Sequence, residues 1–240
     1  MRRRRRDACL PACAISRRSR VAKWMNRGAT PAIVILHGLA GSSHEFISRA
    51  AFVNDVVQVI EKEGPQPVDL VGQSMGAPTA MLVASAHPEL VRRLVLLEGN
   101  EGGGSAEDHA ALGTFFRSWE VPFTSTEKAI EFLGDGPLAQ AWVDGLEERE
   151  DGLHPRFDAD VMVRIISDVA VPRWSEWEST DVPTLVVYAD GGMFAEGQKA
   201  EFVSRGKNVT RADLTGASHD AHLDAFEQWS TVLHGFLTAR

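Results

Sequence analysis

The chain has 240 residues, of which 44% are hydrophobic, and this is enough for one large globular domain with or without an inserted subdomain. No apolar run approaches the ~20 residues that a membrane-spanning helix needs, so the sequence predicts no membrane segment. The only cysteines are Cys9 and Cys13; a body without disulfides is typical of the reducing cytoplasm, which we expect as the location.

Charge is distributed unevenly along the chain. Residues 1–25 carry a net charge of +8, whereas the whole chain carries −8, which leaves −16 for the remainder. An acidic body does not favour nucleic acid as a partner. We predict a basic, disordered leader over residues 1–28. Export by this leader stays open, although the apolar stretch after its arginines is short and contains Pro11.

Short apolar runs rich in β-branched residues predict buried strands at 33–36, 68–71, 94–97, 184–188 and 208–214. Helical patterns lie between and after them, at 51–63, 80–84, 127–133, 159–169 and 223–236. Continuously apolar strands that alternate with helices indicate a mostly parallel, doubly wound sheet covered on both faces. The predicted fold class is therefore α/β.

A serine between two glycines follows the strand at 68–71, in the motif Gly72-Gln73-Ser74-Met75-Gly76. The glycines indicate a turn in which neighbouring backbone passes too close for a Cβ atom. Such a strained turn lifts the serine hydroxyl above the sheet edge, with the N-terminus of the next helix directed at it. The motif predicts Ser74 as a nucleophile.

A His-Gly-Leu turn follows the strand at 33–36. The N–H groups of Leu39 and Met75 could point at one oxygen near Ser74, which would form a two-donor oxyanion hole. We assign the His37 imidazole a structural role in its own loop, because the donors that this chemistry needs are backbone groups.

Three motifs together resemble the α/β-hydrolase fold family: the strand ending in His-Gly-Leu, the motif around Ser74, and Gly216-Ala217-Ser218-His219 near the C-terminus. The similarity covers about residues 31–97 and 181–236. It implies the chain order serine, acid, histidine and a serine esterase-like activity that needs no cofactor or metal.

The resemblance identifies His219 as the base that accepts the proton of Ser74. It lies in a loop between the last predicted strand and the last helix, from which a side chain can reach over the sheet. His222 lies three residues further on and lacks the match to the family motif, so it is the less favoured histidine.

The family most often takes its acid from the loop after the strand at 184–188. That loop contains Asp190, but Gly192 stands where the acid is expected. The family's other location is the end of the strand that follows the nucleophile's helix, where this chain has Glu98. We predict Glu98 as the triad acid, with Asp190 as the alternative.

The resemblance also divides the chain into a first core segment (29–101), a helical cap (102–180) and a second core segment (181–240). Tryptophans in the cap could line an apolar substrate pocket, or could bury the cap against the core. The candidates for substrate binding are Trp119, Trp142 and Trp174.

The stretch from Gly38 to Pro67 is too short for the full family pattern. The strand at 33–36 is therefore predicted to be an edge of the sheet. An apolar, unprotected edge strand tends to pair with a copy of itself, so we expect self-association as a possible state of the chain.

Two classes of function follow. The first is a carboxylesterase-like serine hydrolase that acts on a small apolar ester or related acyl compound. The alternative is a non-catalytic member of the family that binds a small apolar molecule. Hydrolysis of carbon–carbon bonds and perhydrolysis share the serine triad and stay open. Neither a nucleic acid nor a membrane is expected as a partner.

Overall fold

The computed structural model describes residues 32–36, 49–63 and 67–239. The strands are β1 (Ile33–Leu36), β2 (Val68–Gln73), β3 (Val91–Leu97), β4 (Glu147–Arg149), β5 (Gly152–His154), β6 (Thr184–Gly191) and β7 (Val209–Ser218). The helices are α1 (Arg49–Glu63), α2 (Gly76–Ala86), α3 (Ala106–Arg117), α4 (Thr126–Leu133), α5 (Pro137–Asp144), α6 (Ala159–Val169), α7 (Trp174–Ser179), α8 (Glu196–Arg205), α9 (Ala221–Asp224) and α10 (Phe226–Thr238).

Five parallel strands form the central sheet of the described residues, in the order β1-β2-β3-β6-β7. All six residues of β2 and the first six of β6 are buried. Strands buried on both faces need continuous apolar runs, because neither set of alternating side chains reaches water. This sheet confirms the predicted mostly parallel α/β fold.

Alternate residues of β3 enter two different apolar clusters, one on each face of the sheet. Leu94 and Leu96 pack in the cluster that contains residues of α1, α2, α7 and α8. Val95 and Leu97 pack in the cluster that α9 and α10 cover. The period of two along a strand therefore divides one apolar run between both faces.

A third apolar cluster lies in the segment predicted to form a cap. Its buried members are Phe116, Trp119, Phe123, Ala129, Val143 and Met162. They come from α3 to α6 and the connections between these helices. This segment has an apolar centre of its own, and its role as a cap stays a prediction, as do the predicted domain boundaries.

Several elements had no counterpart in the sequence patterns, among them α8 and the β4–β5 hairpin. In α8 only Lys199 and Phe202 are buried, so its apolar stripe is too narrow to give a helical period. The predicted last helix is divided at Ala225 into α9 and α10. The predicted leader, His37 and Leu39 lie outside the described residues.

Across the part of the chain that the structure describes, no helix has both the length and the apolar character needed to cross a bilayer.

Among the described residues β1 is the terminal strand of the sheet, with its ladder to β2 alone. An open strand edge presents unpaired N–H and C=O groups, so we expect the purified chain to self-associate. Ile35→Lys should shift it towards monomer. Ile35 is the suitable position because it is half-buried, whereas Val34 is only 2% exposed and a lysine there would destabilise the core.

Sedimentation at several protein concentrations measures this effect. Thr210→Lys, at an exposed position of β7 on the opposite edge, is the matched control and should leave the association unchanged. A wild-type chain that stays monomeric at every concentration would contradict the prediction and mean that β1 is covered.

Candidate active site

Ser74 occupies the turn between the end of β2 and the start of α2. Its φ angle is +52°, in the left-handed region that residues other than glycine adopt rarely. Its N–H donates to the Leu97 carbonyl at 3.0 Å, and its own carbonyl accepts from the Ala77 N–H at 2.9 Å. The turn is thus the strained one that the glycine–serine motif predicted, held by hydrogen bonds to β3 and α2.

Gly72 explains why this turn needs glycine. A Cβ atom at position 72 would lie 2.6 Å from the Gly76 carbonyl oxygen and 2.7 Å from the Ala77 Cα atom. Backbone atoms at such distances cannot move aside without moving the start of α2. Any side chain at position 72 would therefore displace the helix that follows Ser74.

His219 follows β7 and reaches Ser74 across the top of the sheet. Its Nε2 atom lies 2.8 Å from Ser74 Oγ, and its Nδ1 atom lies 3.1 Å from Glu98 Oε2. A carboxylate can only accept, so Nδ1 carries the proton and Nε2 is free to accept from the serine hydroxyl. The structure thus brings Ser74, His219 and Glu98 into one chain of hydrogen bonds.

Glu98 directly follows β3 and is fully buried, at 0% exposure. Besides His219, its oxygens accept the N–H groups of Ala189 at 2.8 Å and Met193 at 3.0 Å. Burial by itself raises the pKa of Glu98, but the hydrogen bonds from His219, Ala189 and Met193 together hold the pKa below its ordinary value. The carboxylate is therefore ionised at neutral pH and aimed at Nδ1.

A side chain at position 192 would occupy the space that the Glu98 carboxyl group fills. A Cβ atom at position 192 would lie 2.3–2.5 Å from the three atoms of the Glu98 carboxyl group. Since these distances are far below van der Waals contact, an acid at 192 and the observed Glu98 conformation exclude each other. Glycine at position 192, where the family's acid is expected, thus leaves the space that the Glu98 carboxylate at the end of β3 occupies.

Asp190, the alternative acid, is exposed, and its hydrogen bonds go to backbone groups. Oδ1 accepts the N–H groups of Gly191 at 2.9 Å and Ala217 at 3.1 Å, and Oδ2 accepts the Gly216 N–H at 2.9 Å. These bonds hold the pKa of Asp190 below its ordinary value. Within the described residues, the carboxylate hydrogen-bonded to His219 is that of Glu98.

Met75 stands at the N-cap of α2, immediately after Ser74. The first N–H groups of a helix have no intrahelical acceptor and carry the positive end of the helix dipole. The Met75 N–H therefore stands at the positive end of α2, directly after Ser74 in the chain. Leu39, the other predicted oxyanion donor, lies outside the described residues.

The three candidate tryptophans lie in two places. Trp119 and Trp142 belong to the aromatic cluster around Phe116, with their ring centroids 5.3 Å apart. Trp174 instead packs against the core cluster that contains residues of α1, α2, α7 and α8, and the Arg205 guanidinium lies 3.7 Å from its ring centroid. A shared substrate pocket for all three is not part of the described geometry, and their substrate role stays a prediction.

Sequence reasoning missed two side chains that hold the His219 loop. Gln73 Nε2 donates to the His219 carbonyl at 3.4 Å, and Asp224 accepts the Ser218 N–H at 3.1 Å. Gln73 could have been chosen from the sequence because it directly precedes Ser74. No local pattern distinguishes Asp224 from other aspartates in helices.

Arg49 is a further buried side chain close to the turn. Its guanidinium donates to Thr79 Oγ1 at 2.9 Å and to the Met75 carbonyl at 3.4 Å. Burial, together with the charge of Arg173, lowers the pKa of Arg49 to about 10. Arg49 thus links the residue after Ser74 to the first turn of α2.

His222, the less favoured histidine, lies in α9 and is apart from the Ser74 hydrogen-bond chain. Its Nδ1 atom is buried and has no hydrogen-bond partner among the described residues. Burial lowers the pKa of His222, which favours the neutral ring.

In sequence, the chain is similar to a protein named as a lipase and to one named as a deacetylase. The sn-1-specific diacylglycerol lipase ABHD11 of Mus musculus is 30% identical over 142 residues, which cover 46% of this chain and 43% of that protein. Pyrrolizixenacetamide deacetylase of Xenorhabdus hominickii is 24% identical over 189 residues, which cover 76% of this chain and 70% of that protein. The match thus spans less than half the length of the mouse lipase.

Among solved structures, that of E-2-(acetamidomethylene)succinate hydrolase is similar, with a TM-score of 0.72 over 85% of this chain and 79% of that one. At 18% identity this likeness shows the fold. The family model described as "Alpha/beta hydrolase family" matches residues 36–231, which is well over half of the chain. The chain belongs to the alpha/beta hydrolase family.

Proposed function

We propose that this chain is a serine hydrolase that cleaves an ester or related acyl bond through an acyl-enzyme. The observation that carries the proposal is the hydrogen-bond chain from Ser74 Oγ through both nitrogens of His219 to Glu98, with distances of 2.8 and 3.1 Å. Two relatives named as a lipase and a deacetylase agree with hydrolysis of an acyl bond.

In the first half-reaction Ser74 Oγ attacks the carbonyl carbon of the substrate, while its proton passes to His219 Nε2. The ring becomes an imidazolium, and the ionised Glu98 stabilises that charge and keeps the proton on Nδ1. His219 then gives the Nε2 proton to the leaving oxygen as its bond to carbon breaks. The alcohol departs and the acyl group stays on Ser74.

In the second half-reaction a water molecule attacks the acyl carbon and gives a proton to His219 Nε2. The bond between Ser74 Oγ and the acyl carbon breaks, and the proton on His219 returns to the serine oxygen. The carboxylic acid leaves, and the free enzyme is restored. One water is consumed for each ester bond cleaved.

Each half-reaction passes through a tetrahedral intermediate with a negatively charged oxygen. We assign the Met75 N–H as one donor to this oxygen, because it lies at the N-terminus of α2 beside Ser74. Leu39 is proposed as the second donor. Donors fixed by the fold need no rearrangement when the charge develops, which is the usual origin of a large rate effect.

The nucleophile is tested by Ser74→Ala. Because alanine cannot attack, we expect kcat for short p-nitrophenyl esters to fall by about two decades or more while the fold is retained. Ser85→Ala, at the far end of α2 where the hydroxyl contacts Ser179, is the matched control and should keep the wild-type rate.

A fluorophosphonate probe followed by mass spectrometry provides a direct readout. Covalent labelling should occur at Ser74 in the wild type and be absent in Ser74→Ala. A Ser74→Ala variant that hydrolyses esters at the wild-type rate would show that another group is the nucleophile. An unlabelled wild type would favour a protein that binds a ligand without cleaving it.

The acid is tested by comparing Glu98→Gln with Asp190→Asn. Glutamine cannot stabilise the His219 imidazolium and disfavours the tautomer with the proton on Nδ1, so we expect kcat/KM to fall by about a thousandfold or more. Asp190→Asn should cost less, since Asp190 contacts backbone groups. The reverse ranking of the two variants would transfer the acid role to Asp190.

Because a Cβ atom at position 192 would overlap the Glu98 carboxyl group, adding one methyl group there should lower the activity. Gly192→Ala would place its Cβ 2.3–2.5 Å from the Glu98 carboxyl atoms, so either this carboxyl group or the backbone at 192 must shift, which should disturb the hydrogen bond from His219. We expect kcat to fall by about tenfold or more, as misplaced catalytic groups do.

Gly197→Ala is the matched control, since a Cβ atom at this position in α8 meets nothing within 4 Å. Its kcat should equal that of the wild type. Equal rates for Gly192→Ala and Gly197→Ala would mean that Glu98 can retreat without affecting His219, which would count against its role as the acid.

A further inference from the structure

We propose that Asp190 is a positioning residue for His219: its carboxylate closes a bulge between β6 and β7 that sets where the His219 side chain enters the site. The inference rests on the proposed function, because it concerns the placement of the proposed base His219. In place of the role of alternative acid, it assigns Asp190 a role that fits its contacts with Gly216 and Ala217.

The bulge is visible in the pairing of the two strands. Ala189 pairs with Leu214 and the next paired residues are Gly191 and Ser218, with an irregularity between them. Asp190 alone therefore faces the three residues 215–217 of β7. Extra residues on one strand bend it and increase its twist, and such bulges redirect the side chains that follow. His219 is the first residue after Ser218.

The extra residues cannot follow the regular ladder, so their N–H groups need other acceptors. The Asp190 carboxylate accepts two of them, from Gly216 at 2.9 Å and from Ala217 at 3.1 Å, and Gln228 Oε1 accepts the third, from Thr215 at 3.1 Å. Gly216 has a φ angle of +65°, which a glycine adopts without strain. A Cβ at Gly191 would lie only 2.8 Å from the Ala217 carbonyl oxygen, so the strands are tightly packed at the bulge.

The end of β6 and the residues just after it also hold Glu98, the proposed acid. The N–H groups of Ala189 and Met193 donate to Glu98, and Asp190 between them binds the segment that leads to His219. One short segment thus fixes both partners of the hydrogen bond between Glu98 and His219. A change at Asp190 alters the position of the ring relative to its acid and to Ser74.

The test compares Asp190→Asn with Asp213→Asn. An asparagine side chain has one acceptor oxygen and cannot replace both carboxylate oxygens, so the bulge loses at least one bond. We expect kcat to fall by about 10- to 100-fold, with KM changed by less than about threefold because the acyl substrate still binds. Asp213, an exposed residue of β7 paired with Arg211, is the matched control and should leave both constants unchanged.

A second readout does not depend on any substrate. In the wild type the Nδ1 proton of His219, donated to the buried Glu98, should give a proton NMR resonance downfield of the amide region. Asp190→Asn should broaden or remove this resonance, and Asp213→Asn should preserve it. An inactive wild type that cannot be labelled at Ser74 would contradict the proposed hydrolase function, while the resonance would still test Asp190.

Circular dichroism and thermal melting verify that each variant is folded. If Asp190→Asn does not fold, Asp190→Ser serves instead, because its hydroxyl can accept one N–H bond, and it should show the same loss of kcat and of the resonance. A variant that lowers only the melting temperature, with kcat and the resonance as in Asp213→Asn, would overturn the inference and leave Asp190 with a purely structural role.

Discussion

The buried carboxylate of Glu98 is the constraint on which the rest of the site depends. Leaving an ionised carboxylate uncompensated in a protein interior costs several kcal/mol, so a fully buried one persists only where donors surround it. Among the described residues Glu98 has three donors: the Nδ1–H of His219 and the N–H groups of Ala189 and Met193. Satisfying this single charge therefore fixes the end of β3, the end of β6 with the residues just after it, and the ring of His219 together.

Two strained residues stand beside each other at the ends of adjacent strands. Ser74 after β2 and Glu98 after β3 both have positive φ angles, +52° and +48°. Such conformations cost about 1–3 kcal/mol each and persist where the surroundings determine them. Here hydrogen bonds of the sheet do so, since the Ser74 N–H donates to Leu97 and the Glu98 N–H donates to Val187. The rigid parallel sheet thus holds both side chains at the edge where its carboxyl ends meet.

The position of the Glu98 carboxylate constrains which residue can stand at position 192, far away in the sequence. Placing the carboxylate on β3 requires an empty space at position 192, and a glycine provides it. Asp190, near the end of β6, instead accepts N–H groups of the bulge that precedes His219. The two acidic residues that the sequence offered as alternatives therefore occupy different places and accept different hydrogen bonds.

The sequence by itself predicted the strands of the central sheet and the glycine–serine turn, because apolar runs and closely spaced glycines are local patterns. The choice of His219 and of Glu98, with Asp190 as the alternative, came from the resemblance to the family and stays a prediction. It did not determine the elements with narrow buried faces, such as α8, since few apolar residues mark them. Only the tertiary structure decided that Asp190 faces a bulge, that Gln73 and Asp224 hold the His219 loop, and that Trp174 lies apart from Trp119 and Trp142. These facts depend on pairing between segments distant in the chain, such as β6 with β7, and no local pattern records which residues such pairing brings opposite each other.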